Sequence, residues 1–152
     1  MDVKCAFLNG DINEEIYMQQ PPSFINAELS ILVCKLHKSL YGLKQAPRAW
    51  YDKIDTYFLN HGFKRCISDP NLYVKHVDDN IIVIILYVDD LIIIGSQLLL
   101  IQNMKSELQK QFEMTNLGIL HYFLGLQIWN MEDGIESLST EVCYKFIGSF
   151  PH

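Results

Sequence analysis

The chain has 152 residues, 49% of them hydrophobic and 20% charged, with a formal net charge of −6. That length suits one domain with a substantial core and leaves no room for a second full one. The acidic balance argues against a broad nucleic-acid face, which would show as a basic surface, and four cysteines, Cys5, Cys34, Cys66 and Cys143, lie too far apart for a zinc or haem site. No basic-then-apolar leader opens the sequence, so an intracellular chain with reduced thiols is expected.

Residues 1–8 are apolar with β-type side chains and stop at Asn9-Gly10-Asp11, a strong turn signal. They predict a short strand from which Asp2 projects. Residues 14–20, ended by Pro21-Pro22, predict an edge strand, and residues 31–36 another, with a polar loop or short helical turn between them. Gly42 then permits a tight backbone, and Pro47 fits the first position of a helix. Trp50, Ile54, Tyr57 and Phe58 fall at helical spacing until Asn60-His61-Gly62, an aromatic stripe that reads as core. Lys35, Lys38, Lys44, Arg48 and Lys53 crowd this region with Asp52 among them, which predicts either a local positive patch or a solvated helix face.

Residues 81–94 form an apolar run rich in Ile and Val, broken once by Asp89-Asp90. Each arm has strand length, so the run predicts two buried strands joined at Tyr87-Val88-Asp89-Asp90, with residues 71–77 pairing to the first across Asp78-Asp79. A membrane span is excluded, because it needs about 20 uninterrupted apolar residues and no carboxylates at mid-depth. The two Val-Asp-Asp copies differ. Asp78-Asp79, flanked by Lys75, His76 and Asn80, suits a solvated turn. Asp89-Asp90 is poor turn design, with no Gly or Asn to take positive φ and a β-branched Val in the bend, and local rules are broken where function demands it. Adjacent carboxylates on a rigid hairpin suit Mg²⁺. Two ions about 3.5–4 Å apart need a further acid from another strand, and Asp2 is the candidate.

Ser96 is the expected N-cap of an amphipathic helix carrying Leu100, Ile101, Met104, Leu108 and Phe112 inward. Residues 122–129 return to strand character, with Gly125 marking a bulge or a close approach of backbone. His37, His61 and His121 have no acid–nucleophile partner and read as packing or surface residues. Residues 131–152 show no clean periodicity, and both termini look truncated.

These motifs together resemble the reverse transcriptase of copia-type LTR retrotransposons. M-D-V-K-C-A-F-L-N-G at residues 1–10 is similar to the family's first palm motif. S-L-Y-G-L-K-Q-A-P-R-A-W-Y at 39–51 is similar to its template-and-nucleotide motif, Tyr87-Val88-Asp89-Asp90 to its catalytic box, and L-H-Y-F-L-G-L at 120–126 to its primer-gripping strand. Order and spacing agree through about residue 130, and several long motifs in series are far more specific than a lone Y-x-D-D.

The resemblance implies an α/β (α+β) palm-type fold, an antiparallel sheet backed by helices over 47–60 and 97–112. It implies one incomplete domain: palm core at about 1–13 and 37–130, partial fingers at 14–36, and a degraded start of the thumb at 131–152, where residues 136–150 leave the family pattern. The implied activity is RNA-directed DNA polymerisation, with an inactive, non-enzymatic transposon remnant or nucleic-acid-binding fragment as the alternative. Asp2, Asp89 and Asp90 would be the catalytic and metal-binding residues for two Mg²⁺ ions, replaceable by Mn²⁺ in vitro. Phe7 would be the steric gate against a 2′-hydroxyl, with Ala6, Gly42 and Tyr87 beside the nucleotide and Lys44, Arg48, Leu124 and Gly125 along template and primer. The implied partners are an RNA template, a DNA primer, deoxynucleoside triphosphates and the rest of a Pol polyprotein, integrase and ribonuclease H included, in a cytoplasmic virus-like particle or the nucleus. Lacking upstream neighbours, the strand that carries Asp2 is expected to fray, and the 152 residues alone to polymerise poorly.

Overall fold

The computed structural model describes residues 1–26 and 31–119, together with the strand backbone at 122–123, 126–131 and 134–137. The chain divides into two compact units, Met1–Asn116 and Leu117–His152. In the first, six antiparallel strands form one sheet in the order β4-β5-β6-β7-β1-β8, built from β1 (Asp2–Val3), β4 (Lys64–Arg65), β5 (Leu72–Val77), β6 (Asn80–Tyr87), β7 (Asp90–Gly95) and β8 (Met114–Thr115). Helices α1 (Ala46–Asn60) and α2 (Leu98–Gln111) pack against it, and β2 (Tyr17–Gln19) pairs with β3 (Val33–Lys35) as a separate hairpin. The palm-type expectation of an antiparallel sheet backed by helices is met. In the second unit, β9 (Tyr122–Phe123), β10 (Leu126–Met131) and β11 (Gly134–Ser137) make a three-stranded antiparallel sheet. Strand β11 lies in a stretch where periodicity predicts nothing regular. Among the described residues no helix is long and apolar enough to cross a membrane.

The core follows from the two periodicities of the sequence. Trp50, Ile54 and Phe58 recur every four residues along α1 and are buried, as are Met104, Leu108 and, just past its end, Phe112 of the second helical segment. Ile82, Ile84 and Leu86 alternate along β6 and meet them, together with Val3, Tyr73, Leu91 and Met114. Full burial of side chains this large contributes roughly 1.5–3 kcal/mol each. Helix α1 stops where His61 is followed by Gly62 at φ 81. At its other end Pro47 lies in the first turn, with Ala46 already helical.

One polar network ties β4 and β5 to α1. Tyr73, fully buried, donates its hydroxyl to Asp55 at 2.8 Å, and Arg65 reaches the same carboxylate at 3.2 Å. Burial, with the Tyr51 and Asp55 hydrogen bonds behind it, pushes the Tyr73 phenol far above its usual range.

Three local expectations are corrected. Residues 1–8 are not one strand: after Val3 the chain turns through Cys5 at φ 50 into a 3-10 helix, Ala6–Asn9. Ser96 is not the cap of α2. Its hydroxyl reaches Asn80 at 3.0 Å and accepts from Ile81 N–H at 3.2 Å, while Gln97 holds the cap position without a side-chain bond. The strand bearing Asp2 is not a loose end either. It runs between β7 and β8, with Leu91 N–H bonded to Met1 carbonyl at 2.7 Å, Val3 N–H to Asp89 carbonyl at 2.8 Å and Lys4 N–H to Glu113 carbonyl at 2.9 Å.

Gly10 closes the 3-10 helix against α1 so tightly that a Cβ there would lie 2.7 Å from the Ala49 carbonyl carbon and 2.8 Å from Trp50 N. Backbone atoms cannot swing aside, so Gly10→Ala is expected to destabilise the chain by roughly 1–3 kcal/mol. Urea denaturation checks this, and a midpoint equal to that of the unsubstituted chain would show that α1 yields freely.

Candidate active site

Asp2 and Asp90 stand opposite one another across β1 and β7. Residues paired in this way project from the same face. Asp89 precedes Asp90 in the turn, its carbonyl accepting Val3 N–H from the residue after Asp2. The Asp-Asp pair and the third carboxylate expected from the sequence thus meet at one corner of the sheet. All three are half-buried. The Asp90 carboxyl is held above its usual range by burial first and then by the charges of Asp89 and Asp2, offset in part by the Met1 ammonium. Among the described residues, none of the three carboxylates has a side-chain hydrogen bond or ion pair.

The hairpin that presents them is strained. Strands β6 and β7 pair through Tyr87↔Asp90, so Val88 and Asp89 are the two turn residues, and Val88 has φ 56. A β-branched residue in left-handed backbone is a genuine outlier, costing of order 1–3 kcal/mol. The other Val-Asp-Asp copy is set one residue out of step: Val77 pairs with Asn80, Asp78 and Asp79 form the turn, and it is Asp78 that takes φ 53. Asp tolerates that region, Val does not. At the Val88 turn, the buried Trp50 indole N–H donates to Val88 carbonyl at 2.6 Å.

Phe7 lies on the 3-10 helix rather than on the strand of Asp2, and Ala6 beside it is buried in the core. The half-buried Phe7 ring packs at 5.0 Å on Tyr41, tilted by 52°. The backbone of this turn is fixed by the fully buried Ser39, whose hydroxyl donates to Phe7 carbonyl and whose N–H donates to Gly10 carbonyl at 3.0 Å. Tyr41 feels Asp89 and Asp2, since their charges add to the desolvation that raises its phenol. Neither Ser39 nor Tyr41 stands out from the sequence as a site residue. Gly42 follows at φ 91 with open space around it, which is the tight backbone expected there. Tyr87 is half-exposed at the end of β6.

The positive patch is smaller than the sequence suggests. Lys53 pairs with Asp11 at 2.7 Å, Arg48 with Asp52 at 3.7 Å, and Lys35 with Glu15. Lys44 and Arg48 are exposed at the start of α1, and a pair as open as Arg48–Asp52 contributes little and yields to a better anion. Leu124, Gly125 and His121 fall outside the described residues.

Among the described residues no group of three or more His, Cys, Asp or Glu side chains is gathered closely enough to enclose a metal ion. That excludes a complete protein cage. It does not disfavour Mg²⁺, which takes hard oxygen donors from one or two carboxylates and completes its shell with water and substrate phosphate. Carboxylates without a side-chain partner, one with its proton affinity raised by burial first and then by the charges of Asp89 and Asp2, are the donor set such an ion would neutralise.

The chain matches the family described as reverse transcriptase (RNA-dependent DNA polymerase) over residues 1–150, so the match continues through 136–150, where the sequence was expected to depart from the pattern. It is 48% identical over 129 residues to the retrovirus-related Pol polyprotein from transposon TNT 1-94 of Nicotiana tabacum, covering 84% of this chain and 10% of that one. It is 42% identical over 135 residues to the Pol polyprotein from transposon RE2 of Arabidopsis thaliana, covering 89% and 9%. A putative transposon Ty5-1 protein of Saccharomyces cerevisiae is 38% identical over 141 residues, covering 93% and 46%. The chain therefore spans about a tenth of the plant relatives' length. No solved structure matches. With its carboxylate hairpin and the strand of Asp2 at one corner of an antiparallel sheet, the chain belongs to the reverse transcriptase family.

Proposed function

We propose that this chain is the catalytic core of an RNA-directed DNA polymerase, adding deoxynucleotides to a DNA primer on an RNA template. The observation that carries this reading is the meeting of Asp2, Asp89 and Asp90 across β1 and the β6–β7 turn, in a chain of reverse transcriptase sequence. Asp2 and Asp89 would hold two Mg²⁺ ions, or Mn²⁺ in vitro, and Asp90 would support the second ion or the primer end. Bound there, the ions supply a lowered pKa for the primer 3′-hydroxyl and charge stabilisation for the departing pyrophosphate.

The chain's other residues position the reactants. The Phe7 ring, backed by Tyr41, would close the sugar pocket against a 2′-hydroxyl, the one group that separates RNA from DNA. Ala6, Gly42 and Tyr87 would lie beside the nucleotide. Lys44 and Arg48 would meet phosphates of template or nucleotide, with Leu124 and Gly125 along the primer. Flanking polyprotein would add the remaining fingers and thumb, integrase and ribonuclease H, and the reaction would proceed in a cytoplasmic particle or the nucleus. Because positioning supplies up to roughly 7–11 kcal/mol of such a barrier, the 152 residues alone should extend primers poorly, and activity is best assayed with flanking sequence restored.

In that restored polymerase, Asp89→Asn is expected to lower primer extension at least about 100-fold, since several kcal/mol of charge stabilisation is lost at 1.36 kcal/mol per factor of ten. Asp78→Asn, in the matched hairpin, should leave it nearly intact. Equal losses at the two positions would place the chemistry elsewhere. Phe7→Ala is expected to raise ribonucleotide over deoxynucleotide incorporation by about tenfold or more, the scale of shape discrimination in a pocket. Single-nucleotide incorporation kinetics measure the ratio, and an unchanged value would make Phe7 a packing residue only.

A further inference from the structure

The peptide plane between Val88 and Asp89 is held from outside the hairpin. Its carbonyl accepts the Trp50 indole N–H at 2.6 Å. The plane on the other side of Asp89 is held as well, its carbonyl accepting Val3 N–H from β1 at 2.8 Å. A residue whose two flanking peptide planes are both fixed has neither backbone torsion free, so the direction of its Cα–Cβ bond is set. Trp50 is itself immobile: it is 2% exposed, lies edge-on to Phe112 at 5.4 Å, and starts from backbone pressed against Gly10. A buried indole needs an acceptor for its N–H. Here it has found the carbonyl of a residue in a backbone conformation it would not choose.

We propose that Trp50 is a positioning residue for the carboxylate hairpin: its indole N–H clamps the Val88–Asp89 peptide plane, holds Val88 at positive φ and thereby fixes the direction of the Asp89 carboxylate. The second hairpin is the internal control. Its left-handed residue is Asp78, which tolerates that conformation, and among the described residues no side chain donates to the Asp78 carbonyl. The core packing of Trp50 and its clamping of the turn are separable functions, because only the second requires the nitrogen. The functional half of this assignment rests on the polymerase reading, whereas the structural half does not.

The test replaces the nitrogen and little else. In one version Trp50 becomes the benzothiophene analogue of tryptophan, which keeps the two-ring shape without an N–H, and in the other it is Trp50→Phe. Nuclear magnetic resonance of the 152-residue chain reads the intraresidue amide-to-Hα contact, which is short only at positive φ. The expected result is a strong contact at both Val88 and Asp78 in the unsubstituted chain, and its loss at Val88 alone in either variant. Retention at Val88 in a folded variant overturns the proposal. So does the absence, in the unsubstituted chain, of a scalar coupling across the hydrogen bond from Trp50 Nε1 to the Val88 carbonyl carbon, a measurement that needs no variant. In the restored polymerase the analogue should lower single-turnover incorporation about tenfold with primer–template binding unchanged. An unchanged rate beside a released turn would overturn the functional half alone.

Discussion

Two like charges face each other at one corner of an antiparallel sheet, and the rest of the first unit is arranged so that they stay there. Asp2 and Asp90 occupy directly opposed positions on β1 and β7, a pairing that is destabilising for carboxylates. Burial first, and then the charges of Asp89 and Asp2, raise the proton affinity of Asp90. The sheet tolerates the pair because its neighbours are overdetermined. Beyond the carboxylates the strands carry Val3, Leu91, Ile84 and Leu86 into a core closed by Trp50, Phe58 and Leu108, and β1 is hydrogen-bonded along both edges. Stability is concentrated around the corner, not in it.

The same logic explains why so short a strand can hold Asp2 in place. Two residues of β1 form few ladder bonds, yet the adjoining Met1, Lys4 and Ser39 contacts extend the attachment on either side: Met1 amine to Leu91 carbonyl at 2.7 Å, Lys4 to Glu113 at 3.0 Å, and Ser39 onto the 3-10 helix that follows. Lys4–Glu113 is exposed and contributes little. Ser39 is different. It is a buried hydroxyl with its partner in place, a bond that contributes about 0.5–1.5 kcal/mol, and the same Phe7 carbonyl also accepts Gly10 N–H at 3.2 Å. The fold thus fixes Phe7 and Asp2 relative to one another without keeping them on one strand.

What the sequence discloses and what it hides divide along physical lines. Strand β6 and both helices are legible because each buries a face over several periods, and Ile82, Ile84 and Leu86 or Trp50, Ile54 and Phe58 repeat often enough to be read; β5 and β7, expected from their β-type composition, each bury one residue, Tyr73 and Leu91. Strands β4 and β8 are two residues each, shorter than any period, and their pairing is a tertiary fact. The turn at Cys5 is hidden because Cys carries no signature for left-handed backbone. Ser96 misleads because an Asn80 side chain across the hairpin competes for its hydroxyl. The carboxylates stand out in the sequence, and the pairing of Asp2 with Asp90 is a matter of strand register that only the fold supplies. Trp50 reads as core, which it is, but the question of where its buried N–H goes has no answer in one dimension.

The two Val-Asp-Asp hairpins show how little separates a plain turn from one that sets a carboxylate opposite Asp2. Both joints are two residues long, and in each one residue takes left-handed backbone. At the first, the Val closes the strand and the tolerant Asp takes the bend, leaving both acids in the turn. At the second, the bend has moved back by one residue, so Val88 absorbs the strain and Asp90 enters the sheet opposite Asp2. Because strand side chains alternate, a shift of one residue exchanges the faces from which the acids project. An unstrained turn at the second hairpin would place Asp89 in the left-handed position and draw Asp90 out of register with Asp2. The unfavourable conformation of Val88 is therefore the condition for bringing the carboxylates together, and the indole hydrogen bond from α1 is what the fold sets against it.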